Sequence, residues 1–224
     1  MYDDLTNVLD EATQDRRLLE HPFYRAWRAG TLTRDDLAFY STQYWRQVEA
    51  FPGYLEDVAG RTQNEQARGI VAANLRDERD DDHPGLWLDF ASALGVEEED
   101  VRASRPERET NECVTTFANA CASEDLPFAL GMLYGYESQA PGVAETKVAG
   151  LREHYGIEGA AAKYFELHGK LDVEHARELA EAITHIAHTE EDREQARRGA
   201  RAGAEAIYGL LDGVARARDI GAAA

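Results

Sequence analysis

Three histidines and three carboxylates of this chain stand where they could bind a transition metal. The sharpest setting is His168-Gly169-Lys170-Leu171-Asp172-Val173-Glu174-His175. On a helix, positions i, i+4 and i+7 share one face, because seven residues make nearly two turns. His168, Asp172 and His175 would then present two imidazoles and a carboxylate together, a natural transition-metal ligand set. A helix with two incidental histidines is the plainer alternative, and Asp172 on the same stripe argues for the metal. Glu137, in Tyr134-Gly135-Tyr136-Glu137-Ser138-Gln139, follows the apolar and small residues Phe128 to Leu133. Burying a carboxylate there is costly without compensation, which a cation would provide. A solvent-facing Glu, or one bonded to a tyrosine, is the alternative. Glu78 and His83 lie in Asn74-Leu75-Arg76-Asp77-Glu78-Arg79-Asp80-Asp81-Asp82-His83, which reads equally well as an acidic, solvated helix end. Brought together, the six would make a site for two metals, as in bundles that point Glu and His inward from facing helices. The usual Glu-x-x-His pair on each of two helices is absent.

The remaining histidines suggest less. His185 and His188 fit a solvated face, and His154 a helix end, where a cation is favourable. His21 before Pro22 could serve as an axial haem ligand, but the acidic ligand set fills the place a haem would take. Cys113 and Cys121 have neither metal-ligand spacing nor a disulfide framework, and read as small buried hydrophobes.

The elements that must position these residues are helical. Helical periodicity runs through most of the chain, and strand alternation is nearly absent. Helices are expected over about 3–19, from Pro22 to a stop at Gly30, and from an N-cap at Thr33 through a bend at Pro52. Others are expected over 64–80, from Pro84 to Gly95, and over 106–122. A long one over 125–154 would be kinked at Pro141, and the last two cover 158–188 and 190–217. Short connections predict an all-α antiparallel bundle of seven to nine helices in a single domain over 1–224.

Bulk composition excludes several functions. A formal net charge of −19 opposes nucleic acid and acidic lipid, so neither is an expected partner. The N-terminus, Met-Tyr-Asp-Asp-Leu-Thr, lacks the features of a signal peptide, and no run of 18 apolar residues occurs. A soluble, cytoplasmic protein is therefore expected. Basic residues number 3 Lys against 21 Arg, and acidic runs such as Glu97-Glu98-Glu99-Asp100 are spread along the chain. Such a surface suits concentrated salt, where screening weakens self-repulsion, and points to a halophilic source. An acidic cytosolic protein with high-GC codon bias would read the same way.

Several segments resemble the haem-oxygenase-like di-metal oxidase superfamily, and within it the branch of the chlamydial protein associating with death domains. The matching stretches are Glu20-His21-Pro22-Phe23-Tyr24-Arg25-Ala26-Trp27, Ala50-Phe51-Pro52-Gly53-Tyr54-Leu55, Asn74 to Glu78, Leu86-Trp87 and Ala93-Leu94-Gly95-Val96. Tyr136 to Pro141, His168 to Arg177 and Tyr208 to Asp212 follow in the same order. More distantly the chain is similar to TenA- and PqqC-like proteins. The resemblance implies a haem-oxygenase-like helical bundle that makes para-aminobenzoate for folate-type cofactors. It puts the metal ligands on Glu78, His83, Glu137, His168, Asp172 and His175. The family's gap between its first Glu and His is longer than that from Glu78 to His83, which leaves Asp81 and Asp82 as substitutes.

The same resemblance gives Tyr24 the role of sacrificed tyrosine, Tyr40 that of a second implicated tyrosine, and Lys147 that of amine donor. The centre would be Fe/Fe or Mn/Fe, with O2 as co-substrate and an external reductant. The implied partners are an electron donor and, in a homodimer, a second copy. From the residues alone, Tyr24 reads as core beside Phe23 and Trp27. Lys147 lies ten residues after Glu137, about 15 Å along an ideal helix and offset around it, so the kink at Pro141 would have to help bring it near, and a surface lysine is the alternative. Three rival functions stand: oxidation of an external small molecule, a thiaminase-type activity needing a cysteine in the central pocket, and a non-enzymatic interaction protein.

Overall fold

The computed structural model describes residues 2–221. Among them no strand occurs, and eleven α-helices carry the fold. They are α1 Tyr2–Thr13, α2 Pro22–Ala29, α3 Arg34–Arg61, α4 Glu65–Asp80, α5 His83–Ala93, α6 Glu98–Ala103, α7 Arg108–Ser123, α8 Leu126–Glu137, α9 Ala140–Gly150, α10 Lys163–Ile186 and α11 Glu190–Ala217. Short 3-10 turns and a π turn at Leu151–Tyr155 connect some of them. No described helix is long and apolar enough to cross a membrane.

Local sequence explains most boundaries. Thr33 accepts from the Asp36 amide while the Asp36 carboxylate accepts from the Thr33 amide, a capping box that starts α3. Thr189 and Asp192 repeat it at α11. Gly30, at φ 64°, closes α2 in the left-handed conformation a side chain would resist.

The helix count exceeds seven to nine for identifiable reasons. α6 has six residues, too few for periodicity to reveal. The first helix stops at Thr13 and yields to two 3-10 turns. The segment expected as one helix over 125–154 divides at Ser138-Gln139, with Pro141 in the first turn of α9. Proline there starts a helix rather than kinking one, because its missing N–H is not needed in the first turn. The break also frees Gln139, whose Oε1 accepts from the Leu18 amide at 2.8 Å. At Pro52, where a bend is expected, α3 continues unbroken.

Helices α8 and α11 approach backbone to backbone. A Cβ added at Gly131 or Gly135 would lie 2.1 or 2.0 Å from the carbonyl oxygens of Ala196 and Ala200. One at Gly199 or Gly203 would lie 2.0 or 2.1 Å from those of Phe128 and Met132. This contact fixes α8, and with it Glu137 at its last residue. Helix α10 lies against α4, α5, α8 and α9, so its inner stripe faces every other helix that carries a candidate metal ligand.

Candidate functional site

His168, Asp172 and His175 line the inner stripe of α10, Glu78 ends α4, His83 opens α5 and Glu137 ends α8. All six are buried, His83 completely and His168, the most accessible, to 8% exposure. A carboxylate oxygen of Glu78 and one ring nitrogen each of His83 and His168 lie within 4.8 Å of one another. The His83 and His168 rings are 4.5 Å apart between centroids. The Asp172 carboxylate is 3.0 Å from His168 Nδ1 and 3.6 Å from His175 Nδ1. Asn74 Nδ2 donates to both Glu137 oxygens, at 3.0 and 3.2 Å.

The short interval between Glu78 and His83 has a local explanation. Asp82 adopts φ 48° in the left-handed region, and its side chain accepts from the Gly85 amide to cap α5. The chain reverses within two residues of α4, and His83 drops inward. Asp81 and Asp82, the substitutes considered from sequence, are exposed.

A cation fits this shell. Both ring nitrogens of His83, Nε2 of His168 and Nδ1 of His175 are buried without a hydrogen-bond partner. His83 Nδ1 lies 2.7 Å from Glu78 Oε2 but off hydrogen-bond alignment, so the two atoms converge without bonding. A buried unpaired polar atom costs about 1–3 kcal/mol, and a metal would satisfy several at once. Electrostatics agree in sign. Burial pushes the Glu137 carboxyl up to about 8, helped by Asp172 and Glu78 and opposed by His175 and Asn74. Burial alone would depress His175, yet Asp172, Glu137 and Asp77 outweigh it and hold that imidazole up at about 10. Asp172 stays below the usual carboxylate range despite burial, because both α10 histidines face it. Bound protons on Glu137, His168 and His175 compensate the gathered carboxylates, and a metal ion could take their place.

Lys147 is no surface residue. It is 3% exposed, and Nζ donates to the Tyr40 hydroxyl at 2.7 Å. Five rings surround Nζ: Phe165 at 4.7 Å, Tyr44 at 4.9, Tyr40 at 5.1, Tyr24 at 5.5 and Trp87 at 5.8 Å to the centroids. Burial lowers its pKa from 10.5 to about 7, so an amine with a free lone pair is accessible near neutral pH. Tyr24 is fully buried, and its hydroxyl has no hydrogen bond of acceptable geometry; burial pushes its pKa up, with the Tyr40 hydroxyl opposing. The cavity beside these groups, lined in part by Lys147, Tyr44, Tyr164, His168 and Asp172, measures about 20 Å³.

Other candidates take structural places. His21 is buried, accepts from the Phe23 amide at Nδ1 and faces Asp212 through Nε2 at 3.0 Å, so both its nitrogens are engaged. Cys113 and Cys121 are free and buried, and burial pushes both thiols up, Cys121 to about 12. Sequence reasoning passed over Asn74 and Asp77, the latter 3.2 Å from His175 Nε2. Asn74 stands four residues before Glu78, and Tyr164 four before His168, so helical spacing could have found both. Tyr44 four after Tyr40, Trp87 four after His83 and Phe165 three before His168 carry the same signal, whereas Tyr136, next to Glu137, does not.

With the geometry in place, comparison with known proteins is direct. A family described as iron-containing redox enzymes matches residues 38–208. A 4-aminobenzoate synthase of Chlamydia muridarum is 36% identical over 207 residues, covering 91% of this chain and 87% of that protein. A solved TenA homologue from Pseudomonas syringae pv. tomato superposes with a TM-score of 0.81 at 20% identity, covering 96% of this chain and 92% of the other. A domain with a haem-oxygenase-like fold from Shewanella denitrificans gives 0.80 at 19%, covering 97% and 91%. At such identities the structures speak for the fold alone, whereas the sequence match extends over most of the chain. The chain is a member of the haem-oxygenase-like family of iron-containing redox enzymes.

Proposed function

We propose that this protein forms 4-aminobenzoate oxidatively, taking the ring from its own Tyr24 and the nitrogen from Lys147. The observation that carries the reading is the filled interior. Five of the protein's own rings crowd Lys147, and the remaining cavity of about 20 Å³ has room for roughly one water molecule. A phenol already stands where an external aromatic substrate would have to go.

Glu78, His83 and His168 would hold one metal ion, and Glu137, Asp172 and His175 a second. Iron, or manganese with iron, would supply O2 reduction there with electrons from an external donor. The chain's own groups do the rest. The carboxylates provide hard anionic ligation, and Asn74 and Asp77 orient Glu137 and His175. The aromatic walls exclude water. Lys147 offers its lone pair beside the Tyr24 ring, and Tyr40 holds that amine in place through its hydroxyl. The protein would act once, as a reagent.

Expression with isotopically labelled tyrosine, then oxygenation of the iron-loaded protein without added substrate, tests this. Label in the product, a yield not exceeding one per chain and a mass loss on the Tyr24 peptide are expected. Tyr24→Phe and Lys147→Arg should each abolish product, since guanidinium is a far poorer nitrogen donor. Many turnovers on an added small molecule, with Tyr24 intact, would replace the reading with that of a substrate oxidase.

A further inference from the structure

The aromatic cluster around Lys147 does not end in the interior. The Tyr40 ring meets Trp27 at 5.9 Å between centroids, and Trp27 meets Tyr155 at 6.3 Å. Trp27 is fully buried, whereas Tyr155 is half-buried. Tyr155 closes the π turn Leu151–Tyr155, a rare conformation that recurs at functional sites. The indole is held on two sides. Its N–H donates to the Lys147 carbonyl at 3.4 Å, and Gly150 admits the ring, since a Cβ there would lie 2.6 Å from Cδ1 and Nε1. Ring contacts from Tyr136 toward Tyr54, itself buried, pass through Phe117 or Phe51. Phenylalanine is not oxidised at potentials that oxidise tyrosine or tryptophan, so that route is blocked to single electrons.

We propose that Trp27 and Tyr155 form an electron relay joining the buried phenol of Tyr40 to a one-electron donor at the protein surface. Tyr40 loses one electron, and its phenolic proton passes to the lone pair of the neutral amine at Lys147 Nζ, 2.7 Å away, as the hydrogen bond between them reverses direction. Trp27 supplies the missing electron, Tyr40 recovers its proton, and an indole cation radical remains. Tyr155, whose hydroxyl is buried without a partner and keeps its proton, passes a donor's electron across its ring to that cation. A soluble donor of the ascorbate type supplies that electron at the half-buried Tyr155 ring and releases its own proton to water. Each relay residue ends as it began, and one electron has entered for each oxidising equivalent. The proposal rests on the oxidative reading only for the origin of the electron vacancy; the relay is a property of the side chains.

Flash photolysis of the full-length, metal-free protein tests it. An exposed cysteine introduced by Arg152→Cys carries a ruthenium photo-oxidant, since Cys113 and Cys121 are buried. Time-resolved absorption and electron paramagnetic resonance should show an interior tyrosyl radical that disappears in Tyr40→Phe. Trp27→Phe and Tyr155→Phe should lose most of that signal, and Trp27→Tyr should restore part of it. Trp45→Phe, which also removes a buried indole, should retain it. An undiminished signal in Trp27→Phe, or a loss that Trp27→Tyr fails to restore, would overturn the relay. Should Trp27→Phe not fold by circular dichroism, Tyr155→Phe at its half-buried position decides, and full signal there refutes the proposal. An intact relay in a protein that makes no 4-aminobenzoate would sink the functional reading alone.

Discussion

Lys147 should be a liability to folding, and its removal should make the protein more stable while ending its chemistry. Its pKa falls from 10.5 to about 7 on burial, and it is only 3% exposed, so solvent screening gives little relief. At 1.36 kcal/mol per pKa unit, the charged form is disfavoured by about 5 kcal/mol. The sign follows from proton counts. Between about 7 and 10.5 the unfolded chain holds a proton that the folded chain has released, so this lysine makes stability rise with pH across that window. Below the window both states are protonated, and the full penalty applies. Lys147→Met removes the penalty but leaves the Tyr40 hydroxyl without its 2.7 Å partner, at a cost of about 1–3 kcal/mol. The net expectation near neutral pH is a variant more stable by about 2–4 kcal/mol, with the advantage lost partway up the window and the variant less stable than the parent by about 1–3 kcal/mol as pH approaches 10.5, where only the orphaned Tyr40 hydroxyl counts. Urea titrations of both proteins at matched pH values measure the difference directly, because the other titrating groups are common to both. A variant less stable at neutral pH, or a difference that stays constant across the window, would refute a buried neutral amine. Failure to make 4-aminobenzoate is expected of the same variant, an instance of an active site that costs stability.

Metal analysis of His168→Ala and Glu137→Ala should show most of the transition metal lost, and full occupancy in either would remove that residue from the ligand set. Asn74→Leu should keep the fold but weaken metal binding by about 10–100-fold, read by competition with a chromogenic chelator; unchanged affinity would show that Glu137 needs no support. Gly131→Ala should destabilise by about 1–3 kcal/mol or more through overpacking against α11, whereas Gly209→Ala, where an added Cβ meets nothing within 4 Å, should be neutral or stabilising, and thermal melts of the two separate close helix contact from helix propensity. Raising salt to molar concentration should raise the melting temperature by screening the −19 charge, and a flat salt response would count against a halophilic surface.

The division between sequence and tertiary structure follows the range of each interaction. The stripe of His168, Asp172 and His175 was legible because helical period is local: their relative direction is set within two turns of one helix. The capping boxes at Thr33 and Thr189 and the stop at Gly30 were of the same kind, and only Thr33 and Gly30 were read. Glu137 could be suspected from its apolar neighbours, since a buried carboxylate demands compensation. That Asn74 provides part of that compensation depends on α4 meeting α8 across 63 residues of chain. His83 was uncertain because five residues cannot by themselves say whether a helix continues; one left-handed residue, Asp82, turns the histidine inward. Spacing left Lys147 open between the interior and the surface, because it was measured along one kinked helix from Glu137 onward. The break at Ser138-Gln139 redirects α9, and the aromatic residues that strip Lys147 of water come from α2, α3, α5 and α10. Desolvation is a sum over neighbours distant in the chain, so the identity of the amine was written in the sequence, and its state of charge only in the fold.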